Sequence, residues 1–395
     1  MKKKLIISNL VFAIALFFMI GGGDYANYGY VLLAAYLVLI TIMFPNELFA
    51  TFFSKGSTFL YLFLLYIACT SSFNINTCIA TFTMFMPCML IHTKLSILDN
   101  KESCKRQEKT FFFIILFIFL FYCYKSFELL KANPMALRLL ISTEKDDSIV
   151  VGGGYALPYS LTILCPALVL NIQNVYSKAN RIVIYSFIVI GSFLVVSSMF
   201  TTAILLLFAG FMYVFFKKIG KDKKITAIIC MSIAVVLILF LFPMVKDYFL
   251  SQDANVVGRR LVEIDNILKG NKGEDEGDFL SRIELSLSSL KTFLSAPIIG
   301  IGPSVRYDYF EMEKLGVGSH SQWFDIFAIY GLFSVLLLSY LRKTAKGISK
   351  DNVALTLFIL LGFLNPIFFF NLIFVTYYIT PMFNYLWPSR NEKDK

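Results

Sequence analysis

Apolar stretches recur along the chain over residues 5–21, 29–44, 58–73, 77–92, 110–124, 155–172, 182–198, 200–216, 225–243, 320–341, 353–364 and 366–387. A helix needs about 20 residues to cross a hydrocarbon layer about 30 Å thick, and most of these runs approach that length. The pattern predicts an all-α polytopic membrane protein of about 12 transmembrane helices with one large helical extracytoplasmic loop. Residues 1–243 would carry helices 1–9, residues 244–319 the loop, and residues 320–395 helices 10–12 with a cytoplasmic tail. The last stretch contains Pro366 and Pro381, so it reads either as two short helices or as one kinked helix with a re-entrant piece. The first twenty residues have the basic start and apolar core of a signal peptide. The apolar run continues to Gly21 without an A-x-A site, so an uncleaved first span is expected.

The polar segments alternate in charge. With the three N-terminal lysines inside, the inward turns hold Lys55, then Lys94 to Lys109, Lys178 and Arg181, Lys217 to Lys224, Arg342 to Lys350, and the C-terminal tail. That accounts for 23 of the 36 Lys and Arg residues, whereas the short outward turns near residues 21–28, 73–76 and 198–200 hold none. By the positive-inside rule both termini are expected in the cytoplasm. The remaining 13 cations lie in or beside two longer outward segments, 125–154 and 244–319.

Composition agrees with a membrane protein: 57% of residues are hydrophobic, 16% are charged, and the mean hydropathy is +0.71. A net charge of +10 would point to nucleic acid in a soluble chain, but the lysine alternation explains it here, and no nucleic-acid partner is expected. None of the seven cysteines falls in the 244–319 loop and none forms a C-x-x-C pair, so neither a disulfide framework nor a metal site is expected. Ionisable residues are scarce within the spans, with Asp325 and the span-end Glu128 as exceptions. That scarcity and the lack of an internal repeat count against an ion-coupled transporter or flippase.

The large loop carries helical spacing at Val257, Leu261, Ile264 and Leu268, then an acidic break over 271–278. Ser281 and Glu284 have capping-box spacing, and Ile283, Leu287, Leu290 and Leu294 set an apolar stripe behind them. Ala296-Pro297 stops this helix, and Gly300-Ile301-Gly302-Pro303 makes a tight turn. A helical pair lying on the outer membrane face is the expectation. Five of the nine arginines fall outside: Arg138, Arg259, Arg260, Arg282 and Arg306. Their planar forks suit phosphate oxygens, although pairing with loop carboxylates such as Glu263, Asp265 or Glu284 is the plainer reading of each. Arg282 stands out because it sits at an expected helix start, where the dipole favours an anion. His320, where the loop re-enters the membrane, reads either as a general base or as an interfacial residue marking a helix start. His92, beside a basic cytoplasmic turn, reads as interfacial. Asp325 lies one turn and a residue beyond His320 and reads either as site polarity or as structure.

The stretch from Ser281 to Phe333 resembles the signature region of the O-antigen polymerase and ligase superfamily. The matching positions are Arg282, then Pro297, Gly300 and Gly302 as a structural turn, then His320, then the Tyr330-Gly331 pair. The hairpin around Ser198 to Gly210 is similar to that family's polar turn and small-residue helix. Ser321 stands where the family often has Asn, and Met199 and Phe200 stand where it frequently has an arginine. The resemblance implies a glycosyltransferase of the bacterial cytoplasmic (inner) membrane that uses polyprenyl-diphosphate-linked oligosaccharides, without a nucleotide sugar or a required metal. A repeat-unit polymerase is the leading expectation and a ligase its nearest alternative; a chain-length regulator is a conceivable partner of the former. In that scheme Arg282 and His320 are the catalytic pair, and Arg259, Arg260, Arg138 and Arg306 are candidates for binding the diphosphate.

Overall fold

The computed structural model describes residues 2–21, 25–71, 74–99, 104–132, 136–139, 156–219, 278–302, 316–346 and 353–388, with the single positions 243, 247 and 262. Every regular element among them is helical. The span expected over 225–243 lies outside them but for its last residue, as does the helix expected over 253–269 but for position 262. Arg259, Arg260 and Arg306 also lie outside the described residues.

The chain begins with a hairpin of α1 (Lys2–Gly21) and α2 (Tyr25–Met43), closed by Gly29 against Met19 and by a Phe12–Tyr36 stack with centroids 4.5 Å apart. α2 bends through 114° into α3 (Pro45–Phe52), with Pro45 in the first turn, where its missing N–H costs nothing. There follow α4 (Ser57–Thr70), α5 (Ile75–Asp99), α6 (Lys105–Ala132), the short α7 (Ala136–Leu139), α8 (Ala156–Asn171), α9 (Lys178–Ser197) and α10 (Thr201–Lys218). Beyond them lie α11 (Asp278–Ser295) and α12 (Gln322–Tyr330), which a 3-10 turn (Gly331–Phe333) joins to α13 (Ser334–Lys346). The last elements are α14 (Val353–Leu364), α15 (Phe370–Phe374), a π turn (Val375–Ile379) and α16 (Thr380–Leu386).

Seven helical stretches among the described residues are long and apolar enough to cross a membrane: α1, α5, α6, α8, α9, α10 and the α12–α13 rod, with the bent α2–α3 pair as an eighth. α4 and α14, at 14 and 12 residues, are shorter than a full crossing requires at about 1.5 Å per residue. The expected count of twelve is therefore not reached among these residues.

Two helices form the interior. α8 is buried along nearly its whole length, and residues 371–383 are buried on every side. A helix apolar all round belongs inside a bundle. The last expected stretch is a non-helical segment over 366–369 followed by one continuous helical rod. Pro381 cannot donate to the turn before it. The rod widens to a π turn there, and both the N–H and the hydroxyl of Thr380 reach the Val375 carbonyl, the hydroxyl at 3.0 Å.

The lysine-bearing turns meet one another. Lys343 packs beside Gly56 and over the Phe59 ring at 4.2 Å, while Lys105 and Lys109 cover Tyr385 and Trp387. Lys94 departs from the expected pattern. The charge alternation assigns it to an inward turn, yet α5 continues past it, and its ammonium, 1% exposed, lies 3.0 Å from the fully buried Glu108 carboxylate of α6. Asn9 of α1 donates to the same carboxylate oxygen at 2.8 Å and accepts from Lys94. The two opposite charges neutralise each other, so helices can carry them inside the bundle.

Candidate functional site

The site is built on α11, a helix worn inside out. Its apolar stripe, Ile283, Leu287, Leu290 and Leu294, is exposed, while Ser289 is fully buried. The hydroxyl face is turned inward, where it meets the backbone of the 316–318 loop and, through Ser289, the Asp325 carboxylate. Ser288 and Thr292 both donate to the Gly316 carbonyl, at 3.0 and 2.8 Å, and the Ser289 hydroxyl accepts the Gly318 N–H at 2.8 Å. The loop lies so close that a Cβ on Gly318 would overlap the Leu285 carbonyl. An apolar stripe facing outward suits a bilayer, where hydrocarbon replaces water around the helix.

The same contacts lead to Asp325. The Ser289 hydroxyl donates to its Oδ1 at 2.6 Å, and the backbone N–H groups of Ser319 and Ser321 also bond to the carboxylate. Asp325 is buried in the first turn of α12, where an anion suits the helix dipole. His320, half-buried, lies between Ser319, whose φ is +54°, and Ser321, the residue that precedes the first residue of α12. His320 thus stands just before the helix rather than opening it. Gln322 fixes that helix start from the other side. Its Oε1 accepts the N–H groups of Ile367 and Phe368, each at 3.0 Å, satisfying the non-helical segment that Pro366 begins. The Trp323 indole donates to the Ile359 carbonyl at 2.8 Å and lies over Gly362.

The other end of α12 explains the glycine motif. Helices leave their last carbonyls without internal partners. Here the turn after α11 supplies them: Ile301 N–H donates to Ala328 O and Gly302 N–H to Ile329 O, both at 3.0 Å. In return Leu332 N–H donates to Pro297 O at 2.8 Å. Gly300 (φ +69°) and Gly331 (φ +57°) are each pressed against the other's segment, so that a Cβ on either would overlap a carbonyl of the opposite segment. Pro297, Gly300, Gly302, Tyr330 and Gly331 are therefore brought into one interlock. Tyr66 of α4 closes it, donating to Ile299 O and stacking on Phe333 at 4.3 Å.

Arg282 lies on α11 seven residues before Ser289, on the helical face that meets the His320 loop. α11 begins at Asp278, so Ser281 lies inside the helix rather than capping it, and Arg282 is one turn in rather than at its start. Arg138 lies in α7, which packs on α6. An apolar cleft of about 260 Å³ opens between α11 and α12, lined by Leu290, Phe293, Phe324 and Phe327. No group of three or more metal-ligating side chains occurs among the described residues.

The sequence reading missed Ser289, Gly318 and Gln322. Serines on a helix carry no periodic signal, and a glutamine at a span start looks like any interfacial polar residue. The hairpin of α9 and α10 turns at Met199, whose φ is +55°, with Gly191 against Leu161 and Cys165, and Gly210 against Pro166, letting both helices close on α8.

Residues 186–339 match the family described as O-antigen ligase (Wzy_C), a stretch shorter than half the chain that runs from α9 into α13. No curated protein matches the chain at a significant level.

Proposed function

We propose that this chain, which belongs to the O-antigen polymerase/ligase superfamily through residues 186–339, is the repeat-unit polymerase of a surface polysaccharide such as O-antigen or capsule. It would move a growing glycan from a polyprenyl diphosphate onto a hydroxyl of the next lipid-linked repeat unit. The observation that carries this reading is the seating of the His320 loop on α11, the helix that bears Arg282, through Ser288, Ser289 and Thr292.

The chemistry follows from where charge develops. The bond between the anomeric carbon and the diphosphate oxygen breaks, and its electron pair leaves with the polyprenyl diphosphate. A guanidinium already in place stabilises that growing charge without reorganisation, which is the role of Arg282. The acceptor oxygen forms the new bond to the anomeric carbon while His320 takes its proton. Arg259, Arg260, Arg138 and Arg306 are further candidates for holding the diphosphate. Twelve spans, both termini in the cytoplasm of a bacterial inner membrane, and a 244–319 loop on the outer face complete the picture, with a chain-length regulator as a partner of the polymerase.

A ligase, moving finished glycan onto a different final acceptor, is the second reading, favoured by the description of the matching family. Cells lacking the gene and complemented with Arg282→Ala or His320→Ala, at matched membrane levels, separate the readings by the surface glycan on a gel. A polymerase defect leaves single repeat units, and a ligase defect leaves long chains on the lipid carrier. Single units trapped on the inner leaflet would indicate a flippase, and wild-type ladders from both variants would remove the site assignment.

A further inference from the structure

Three donors converge on the buried Asp325 carboxylate, and two of them are the backbone N–H groups on either side of His320. We propose that Asp325 is a positioning residue for glycan transfer, holding the chain before and after His320 so that the imidazole meets the acceptor hydroxyl. This rests on the reading of His320 as the base for the acceptor.

The backbone leading into His320 is not one the chain adopts freely. Ser319 has a φ of +54°, a left-handed conformation that a residue with a Cβ keeps only where its surroundings hold it there. The surroundings are specific. Gly316 is tied by Ser288 and Thr292, Gly318 by Ser289, and Ser319 and Ser321 by Asp325. Ser289 links the two halves of this arrangement. Its oxygen accepts from Gly318, and its one proton goes to Asp325 at 2.6 Å, the competing Leu285 carbonyl being at 3.5 Å.

A packing role alone does not need a carboxylate. Ile326 and Ala328, two near neighbours on α12, are buried apolar residues, and an aliphatic side chain at 325 would avoid the cost of taking a charge out of water. What the carboxylate adds is acceptor capacity for several donors at once, and those donors set the path of the histidine loop. A base misplaced by about 1 Å can cost on the order of 100-fold in rate. Positioning at this range is therefore sufficient to matter.

The test uses membranes of cells lacking the native gene, carrying Asp325→Asn, His320→Ala or both at matched levels. The probe is the lipid-linked glycan extracted from the same gene-deficient cells. Asp325→Asn should lower kcat by roughly 10- to 100-fold and leave KM for the lipid-linked glycan unchanged. The double variant should be no slower than His320→Ala, since without the imidazole there is nothing left to position. Ser289→Ala, which keeps the carboxylate and removes one donor, should show a smaller loss with the same non-additivity; it carries the test if Asp325→Asn fails to reach the membrane. Full additivity in the double variant, or a rise in KM with kcat unchanged, would overturn the inference while leaving the functional reading intact. Wild-type turnover by His320→Ala would overturn both.

Discussion

Lys94 Nζ lies 3.0 Å from Glu108 Oε1, and neither side chain is more than 1% exposed. Asn9 completes the contact from α1, so three helices meet on one neutralised charge pair. The second oxygen of Glu108 is buried with no hydrogen-bond partner among the described residues. The pair therefore gains little over an apolar core of the same volume, whereas either charge alone would be strongly unfavourable.

Lys94→Met should accordingly destabilise the bundle by about 3–5 kcal/mol, because Glu108 is left without a counter-charge. Lys94→Met combined with Glu108→Leu should recover most of that loss. Thermal unfolding of the purified protein in one detergent, followed by the intrinsic fluorescence of its tryptophans, measures both. A double variant no more stable than Lys94→Met would show that the pair is not coupled as described.

The interlock between the α11 turn and the end of α12 makes a second expectation. Gly300→Ala and Gly331→Ala each place a Cβ against a carbonyl and force a left-handed residue, the latter alone costing about 1–2 kcal/mol. Both should destabilise by more than that and lose surface glycan together. Pro297→Ala keeps the carbonyl that accepts Leu332 N–H and should be milder. Limited proteolysis between α11 and α12 reads the loosening directly. Equal stability of all three variants would contradict the close approach.

These glycines were legible in the sequence because a positive φ or a close carbonyl selects one residue type. The long helices were legible for a similar reason: an apolar run of span length has few other solutions. The inward face of α11 was not. A stripe such as Ile283-Leu287-Leu290-Leu294 signals burial only when water is the surroundings, and here it is the serines that pack against backbone. The Lys94–Glu108 pair escaped for a different reason. Each charge in isolation reads as a mark of solvated chain, and their compensation appears only when α5 and α6 are folded together.

The location of α11 has its own test. Lys291 is an exposed, charged residue of that helix, outside its apolar stripe. In a variant with its seven cysteines replaced, Lys291→Cys should react with a membrane-impermeant maleimide in intact cells stripped of any outer permeability barrier. Cysteine placed at Lys55 should react only after the membrane is opened, since the lysine-bearing turns belong inside. The reverse pattern would put Arg282 and His320 on the wrong side for a glycan assembled outside the membrane.

Arg282→Lys separates a guanidinium fork from a simple positive charge. A fork makes two parallel bonds to adjacent phosphate oxygens, while an ammonium offers a point charge on a more flexible stem. If Arg282 holds the leaving diphosphate through such a pair, Arg282→Lys should retain some turnover and lose on the order of 10-fold or more of it, lying between wild type and Arg282→Ala. The loss should fall on kcat, because the charge being stabilised develops as the glycosidic bond breaks. Turnover equal to wild type in Arg282→Lys would mean that charge alone suffices at this position. Turnover equal to wild type in Arg282→Ala as well would move the diphosphate site to another of the outward arginines.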